Sequence, residues 1–228
     1  MSSITANLQA VKRRIDAAAR AAGRPADSVQ LVAVSKTFAA AAVREAAQAG
    51  LRHFGENYVT EGVEKISELR GLGLEWHYIG PIQSNKTRLI AEHFDWVHSI
   101  DREKIAARLA QARGPGQREL QVCIQVNVSG EESKSGIAPE ELASLARRVA
   151  GLPRLKLRGL MAIPEPTPDT QLQRARFAQL RALRDELNRA GLTLDTLSMG
   201  MSADLEAAIA EGATMVRVGT AIFGERKS

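Results

Sequence analysis

The sequence is poor in the residues that build disulfides and metal sites. It has one cysteine and four histidines among 228 residues. A lone cysteine excludes an internal disulfide, and Cys123 lies inside an apolar run, where we expect a buried, inert thiol. The histidines form no HxH or HxxxH pair, so no metal site is predicted, and we expect His77 and His98 to be hydrogen-bonded strand residues.

Long apolar runs are also absent. No stretch of the sequence is long enough to cross a bilayer. The amphipathic N-terminus, MSSITANLQAVKRRIDAAAR, lacks the apolar block of a signal peptide and is predicted to be a surface helix. Together with the scarcity of cysteine, this favours a cytoplasmic protein without a membrane segment.

Aromatic residues make up only 4% of the chain. Few side chains are therefore available to stack on nucleic-acid bases, and the sequence contains no recognised nucleic-acid motif. The net charge of +5 comes from basic residues interleaved with acidic ones, which is typical of a solvated surface. Nucleic acid is not expected as a partner, whereas a small anionic ligand suits the sign of the charge.

The sequence does contain a regular alternation of short apolar runs and helical patterns, after a leading helix predicted over 3–22. Most of the runs are continuous, as in parallel strands that are covered on both faces. The eight runs cover residues 29–35, 51–55, 75–80, 95–100, 120–128, 155–163, 194–200 and 214–219. Eight βα units predict an α/β fold, a (β/α)8 TIM barrel with an extra N-terminal helix, in one domain over 1–228. A doubly wound open sheet is the second choice.

The chemistry of such a barrel lies at the C-terminal ends of its strands. The first run, LVAVSK, ends at Lys36, and the second ends in FGENY, with Glu56 and Asn57. Lys86 and Lys134 follow the third and fifth runs, and they are either solvated charges or groups that help to transfer a ligand. These residues are expected to surround the mouth of the barrel.

The loops after the seventh and eighth strands have the composition of a phosphate site. Barrels often bind phosphate with these loops and with the N-terminus of a short extra helix. The segments SMGMSAD and GTAIFG supply Gly200, Ser202, Gly219 and Thr220, with a helix predicted to start at Ser202. Taken alone, each segment also fits a tight turn followed by a capping serine. Because both segments are expected on the same side of a barrel, we favour a phosphate-binding site.

Lys36 and Arg217 add two further functional groups to this end of the barrel. A lysine near a phosphate site can form a Schiff base with a carbonyl compound. Arg217 interrupts an apolar strand and needs either a glutamate partner or a ligand, because a buried unpaired charge is costly. Pyridoxal phosphate would use the lysine, the phosphate site and the arginine. A phosphorylated sugar in an aldolase, with Glu56 as the acid or base, also fits the spacing.

Eight motifs in order resemble one known family over about residues 29–225. They are LVAVSK, FGENYV, WHYIGPIQSNKTR, VHSID, QVNVSGEESKSG, GLMAIP, LSMGMSAD and MVRVGTAIFG. The chain looks like a member of the pyridoxal phosphate homeostasis proteins, small barrels similar to the N-terminal domain of alanine racemase. The resemblance implies a fold-type III barrel that binds pyridoxal 5'-phosphate through Lys36, Asn57, Met201, Ser202, Arg217, Gly219 and Thr220.

The resemblance also implies a role for each of these residues. Lys36 would carry the cofactor as an aldimine, and Arg217 would face its pyridine nitrogen, with Asn57 near the ring. Ser202, Gly219 and Thr220 would hold the phosphate, and the backbone of Met201 would contribute.

Members of this family are similar in carrying or buffering the cofactor, within vitamin B6 and amino-acid homeostasis, without established catalysis. An arginine at the ring nitrogen disfavours protonation of that nitrogen and weakens the ring as an electron sink. We also expect no room after the eighth strand for the second domain of the racemases, which favours a monomer. Pyridoxal-phosphate-dependent apo-enzymes are possible recipients. A pyridoxal-phosphate-dependent racemase or lyase of amino acids is the alternative, and a Schiff-base aldolase without a cofactor is a weaker one.

Overall fold

Eight parallel strands close into a barrel in the order in which they occur along the chain. The structure is a computed structural model that describes residues 3–131 and 135–225. Within these ranges every strand pairs with its sequence neighbours, and β8 closes the barrel by pairing with β1. The strands are β1 Gln30–Val34, β2 His53–Glu56, β3 Glu75–Tyr78, β4 Trp96–Ile100, β5 Leu120–Gln125, β6 Leu155–Met161, β7 Thr196–Ser198 and β8 Met215–Val218. The predicted (β/α)8 barrel is therefore confirmed.

Helices surround the barrel because each one presents an apolar stripe to the sheet. Those of the described ranges are α1 Ser3–Ala21, α2 Ala40–Gln48, α3 Val59–Glu68, α4 Thr87–His93, α5 Glu103–Ala112, α6 Pro139–Ala150, α7 Thr170–Arg189, α8 Leu205–Ala210 and α9 Thr220–Phe223. Local signals define several of their ends. The Asp169 side chain accepts hydrogen bonds from the first turn of α7, and α6 begins with Pro139 at a position that needs no amide hydrogen.

The leading helix α1 packs against α8 and α9. Its buried stripe consists of Leu8, Val11, Ile15 and Ala19, which recur every three or four residues. Just before this stripe, Asn7 donates a hydrogen bond to the carbonyl of Ile222, at 3.1 Å. The helix therefore supports the two short helices that follow β7 and β8.

A second, smaller apolar cluster fills the barrel interior. It consists of Val32, Trp96, Cys123, Met161 and Met215, from alternate positions of the strands. The thiol of Cys123 is fully buried, as predicted. Burial raises the pKa of this thiol to about 12, so it stays protonated and unreactive at neutral pH.

The expected element positions agree with the structure except after β7. The predicted helix start at Ser202 is wrong, because 202–204 form a turn and α8 begins at Leu205. The reason is the Asp204 carboxylate, which accepts a hydrogen bond from the Met201 amide at 2.6 Å and closes the turn before the helix. None of the helices in the described ranges combines the length and the apolar character that a bilayer crossing requires.

Candidate functional site

A cavity of about 320 Å³ opens at the C-terminal ends of β1, β7 and β8. Its walls are formed by Val34, Lys36, Phe38, Met201, Ser202, Ala203, Arg217, Gly219 and Thr220. Six of the seven residues predicted to bind a ligand therefore meet in one place. The apolar wall that includes Phe38 was not foreseen; this ring lies two residues after Lys36 and stacks on Phe223, with centroids 5.1 Å apart.

Lys36 is partly buried, and both of its chain neighbours are held by carboxylates. The hydroxyl of Ser35 donates to Glu56 Oε1 at 2.6 Å. The amide of Thr37 donates to Glu61 Oε1, also at 2.6 Å. Thr37 has a positive φ of 69°, a conformation that is unfavourable for a β-branched residue and needs outside support.

The two carboxylates are joined by one buried lysine of α3. The Lys65 ammonium donates to Glu56 Oε1 at 2.9 Å, to Glu61 Oε1 at 2.6 Å and to the carbonyl of Ser35 at 2.7 Å. Glu56 is fully buried and Lys65 is 5% exposed. Burial raises the pKa of Glu56, and the hydrogen bonds from Ser35 and Lys65 oppose this shift. We call this group, Ser35, Thr37, Glu56, Glu61 and Lys65, the lysine clamp, because it fixes the backbone on both sides of Lys36.

Arg217 points into the barrel beneath the cavity and is almost completely buried. Its guanidinium donates to Ser198 Oγ at 2.7 Å and to the carbonyl of Ala162 at 2.9 Å, not to a glutamate. Burial lowers the pKa of Arg217 to about 10. The group therefore remains a cation at neutral pH and presents a fixed positive charge to the cavity.

Two buried histidines continue from Arg217 through the barrel interior. Ser198 Oγ lies 2.7 Å from His98 Nδ1, and His98 Nε2 lies 2.9 Å from His77 Nδ1. The predicted hydrogen bonding of these two strand histidines is confirmed. Burial, with a smaller effect of the Arg217 charge, lowers the pKa of His98 to about 3. Burial, with smaller effects of His98 and His53, lowers the pKa of His77 well below its ordinary value. Both imidazoles are therefore neutral.

The loops after β7 and β8 bring small residues close to the cavity. Gly200 has a φ of 94°, and a Cβ there would lie 2.5 Å from the Cβ of Ala208. A Cβ on Gly219 would lie 3.1 Å from the carbonyl oxygen of Val34. The carbonyl of Ser202 accepts a hydrogen bond from Arg14 of α1 at 3.0 Å. Because α9 starts at Thr220, the first amides of this helix have no acceptor within the helix.

The other residues singled out from the sequence lie outside the cavity wall. Asn57 follows β2, and its Oδ1 is buried with no hydrogen-bond partner among the described residues. Glu56 belongs to the lysine clamp and does not line the cavity. Lys86 ends a 3-10 turn over 84–86 after β3. Lys134 lies outside the residues that the structure describes.

Fold and cavity together match one class of protein. Residues 6–227 match the family model described as "Alanine racemase, N-terminal domain", a class of α/β barrel. A protein of Pseudomonas aeruginosa named "Pyridoxal phosphate homeostasis protein" is 64% identical over 99% of this chain and 97% of its own length. The structure of PipY from Synechococcus elongatus without PLP has a TM-score of 0.87 and 42% identity, over 97% of this chain and 100% of that one. The structure of PipY with PLP bound has a TM-score of 0.85 and 40% identity over the same shares. The chain belongs to the family of pyridoxal phosphate homeostasis proteins.

The lysine clamp generates a prediction about stability. The change Lys65→Met would leave the buried Glu56 carboxylate without its cation. We expect a loss of about 3–5 kcal/mol in the free energy of unfolding, the usual cost of breaking a buried ion pair. Urea unfolding followed by circular dichroism measures it.

Two comparison variants make this measurement specific. The double change Glu56→Gln with Lys65→Met removes the uncompensated charge and should recover part of the loss. Lys12→Met, at an exposed position of α1, should change the free energy of unfolding by less than about 0.5 kcal/mol. A Lys65→Met protein as stable as Lys12→Met would contradict the clamp.

Proposed function

We propose that this protein binds pyridoxal 5'-phosphate covalently at Lys36 and carries or buffers it, as part of vitamin B6 and amino-acid homeostasis. The observation that carries the proposal is the convergence of a lysine amine, a buried guanidinium and two hydroxyl-bearing residues on one cavity. The names of the relatives support it. The Pseudomonas aeruginosa relative is named for pyridoxal phosphate homeostasis, and PipY is described with PLP bound.

The residues of the cavity fit such a cofactor. A volume of about 320 Å³ lies at the lower end of the range for small-molecule sites, which suits a single ring with one phosphate. Asn57 lies outside the cavity wall, but its buried Oδ1 has no partner among the described residues and is an acceptor that a ligand donor or water would satisfy. The close approach of Gly219 to Val34 keeps the backbone near the phosphate position.

We assign the phosphate to the loops after β7 and β8. Ser202 and Thr220 supply hydroxyl donors, and amides of the two loops supply backbone donors, although the Met201 amide itself donates to Asp204. The positive end of α9, although this helix is short, adds to the attraction for an anion. The Arg14 guanidinium donates a hydrogen bond to the carbonyl of Ser202 and so stabilises this loop.

The cofactor supplies an aldehyde, which is the group that a lysine amine attacks. The lysine clamp holds the chain on both sides of Lys36 and keeps its side chain directed at the cavity. Arg217 keeps a positive charge where we assign the ring nitrogen, so it disfavours a proton on that nitrogen. Ser198 and the carbonyl of Ala162 fix the guanidinium in this position.

A carrier role agrees with the scarcity of acids and bases in the cavity. Among the described residues that line it, only Lys36 and Arg217 carry titratable side chains. The hydroxyl of Tyr78 donates to the carbonyls of Asn57 and Pro81, at 3.1 and 3.0 Å. Burial raises the pKa of this hydroxyl to about 12. Proton transfer at the α-carbon of an amino acid would need a second acid or base in the cavity beside Lys36. We therefore favour a carrier over a racemase or lyase.

We further propose that the protein is a cytoplasmic, single-domain monomer that passes the cofactor to pyridoxal-phosphate-dependent apo-enzymes. Lys36 and Met201 are partly exposed at the mouth, so a recipient would have access to the cofactor without unfolding of the barrel. Lys86 and Lys134 remain candidates for a part in this transfer.

Covalent attachment of the cofactor can be tested by reduction. Protein loaded with pyridoxal phosphate and reduced with borohydride should carry the cofactor on the peptide that contains Lys36. Lys36→Ala should lose this label, because no other lysine lines the cavity among the described residues. Peptide mass spectrometry measures the outcome.

Lys86→Ala is the matched control and should keep the label. A label on one other lysine in the Lys36→Ala protein would show that the cofactor attaches there and not at Lys36. The absence of a label from every variant would refute covalent binding. Deuterium exchange at the α-carbon of amino acids, if it depends on Lys36, would instead favour the racemase or lyase.

The support that α1 gives to the loop after β7 can be tested at Arg14. Arg14→Ala removes the hydrogen bond to the Ser202 carbonyl and the ion pair with Glu206. We expect pyridoxal phosphate to bind about threefold to tenfold more weakly, since one hydrogen bond that orders the loop is lost. Titration of the visible absorbance measures the affinity. The exposed neighbour Arg13→Ala should bind as the wild type does, and equal affinities of the two variants would contradict the role of α1.

A further inference from the structure

Three side chains of types that can ligate a metal ion lie together at the end of the barrel opposite the cavity. His53 and Glu75 are the first residues of β2 and β3 and lie directly opposite each other in the sheet, with His77 two residues further along β3. His53 Nδ1 lies 2.9 Å from Glu75 Oε2 and 3.1 Å from His77 Nε2. One ligand atom from each residue lies within 4.8 Å of the others.

The contacts within this cluster converge on one atom, His53 Nδ1, which is the common partner of the Glu75 oxygen and of His77 Nε2. The carboxylate oxygen only accepts, and one ring nitrogen carries at most one proton. If His53 Nδ1 carries a proton, two partners share it; if it does not, it faces the Glu75 oxygen as a second acceptor. Hydrogen bonds therefore do not satisfy all three of these atoms, whichever tautomer His77 adopts.

We propose that a divalent transition-metal ion of the zinc class binds in this cluster through His53, Glu75 and His77. Two imidazole nitrogens and one carboxylate oxygen are a known ligand set for zinc, with bonds of about 2.0–2.2 Å. A tetrahedral ion with such bonds separates its donors by about 3.3 Å. The two separations from His53 Nδ1, 2.9 and 3.1 Å, need to open by a few tenths of an ångström. The separation between the Glu75 and His77 ligand atoms, which is within 4.8 Å, has to reach the same value. The fourth position is left to water or an external ligand.

Groups around the ligands already orient them. His77 Nδ1 is 2.9 Å from His98 Nε2, which in turn is linked to Ser198. The Trp96 side chain lies beside the Glu75 carboxylate. Hydrogen bonds from the second nitrogen of a ligating histidine and to a ligating carboxylate are typical of metal sites, because they fix the tautomer and the ring orientation.

Burial and charge indicate how the ion enters and which ions fit. The side chains of His53 and Glu75 are 21% and 45% exposed, whereas His77 is completely buried. The site is thus open to solvent on one side and closed on the other. Arg118 lies close enough to affect Glu75 and opposes any cation. Imidazole ligands offset this opposition for Zn²⁺, Co²⁺ or Ni²⁺, but not for Mg²⁺, which needs oxygen ligands.

The site is independent of the proposed function, because it lies at the other end of the barrel and involves no residue of the cavity. It can therefore be tested on the full-length protein without pyridoxal phosphate, after treatment with a chelator and without a histidine tag. Co²⁺ is the spectroscopic probe, since its visible absorption reports four-coordinate binding, and Zn²⁺ calorimetry gives the stoichiometry. We expect one ion per chain for both metals and no comparable binding of Mg²⁺.

Two variants at the open side of the site keep the test independent of folding. His53→Gln and Glu75→Gln should each weaken Co²⁺ and Zn²⁺ binding at least tenfold, while His93→Gln, on α4 and outside the cluster, should bind as the wild type does. Urea midpoints close to that of the wild type would show that the variants are folded. One-to-one binding unchanged in both ligand variants, or no binding at millimolar metal, would overturn the proposal.

Discussion

The buried ion pair between Glu56 and Lys65 is the interaction on which the site depends. Burying two charges is costly unless each finds partners, and here the partners are the two backbone neighbours of Lys36. The carboxylate and the ammonium therefore obtain their hydrogen bonds by holding Ser35 and, through Glu61, Thr37. The same contacts that stabilise the buried pair hold Lys36 at the mouth of the barrel.

The rest of the site is held by contacts that are distant along the chain. Arg14 of α1 reaches the loop after β7, 188 residues away, and Arg217 of β8 is fixed by Ser198 of β7 and Ala162 after β6. Closure of the barrel makes these contacts possible, since β8 returns to β1 and brings the last loops next to Lys36. The positive charge beneath the cavity and the donors around it are thus properties of the closed barrel.

Much of this architecture could be predicted because buried parallel strands leave continuous apolar runs, and because barrels place their chemistry at the C-terminal strand ends. Lys36 and the loop with Gly219 follow from these two rules. The turn at Ser202 could not be predicted, since a capping serine and a serine in a turn have the same sequence pattern. Contacts between side chains of different strands and helices were also not predicted. The pairing of Lys65 with Glu56 depends on how α3 packs, and the approach of His53 to Glu75 depends on strand register, which local sequence does not specify.

We infer that the lysine clamp, not the lysine alone, makes Lys36 competent to bind the cofactor. The most direct test is the rate at which pyridoxal phosphate attaches to Glu61→Ala, which frees the Thr37 amide, compared with Glu64→Ala on the exposed side of the same helix. Stopped-flow absorbance measures both rates. We expect slower attachment and weaker binding for Glu61→Ala alone, whereas identical rates and affinities in the two variants would show that the clamp has no such role.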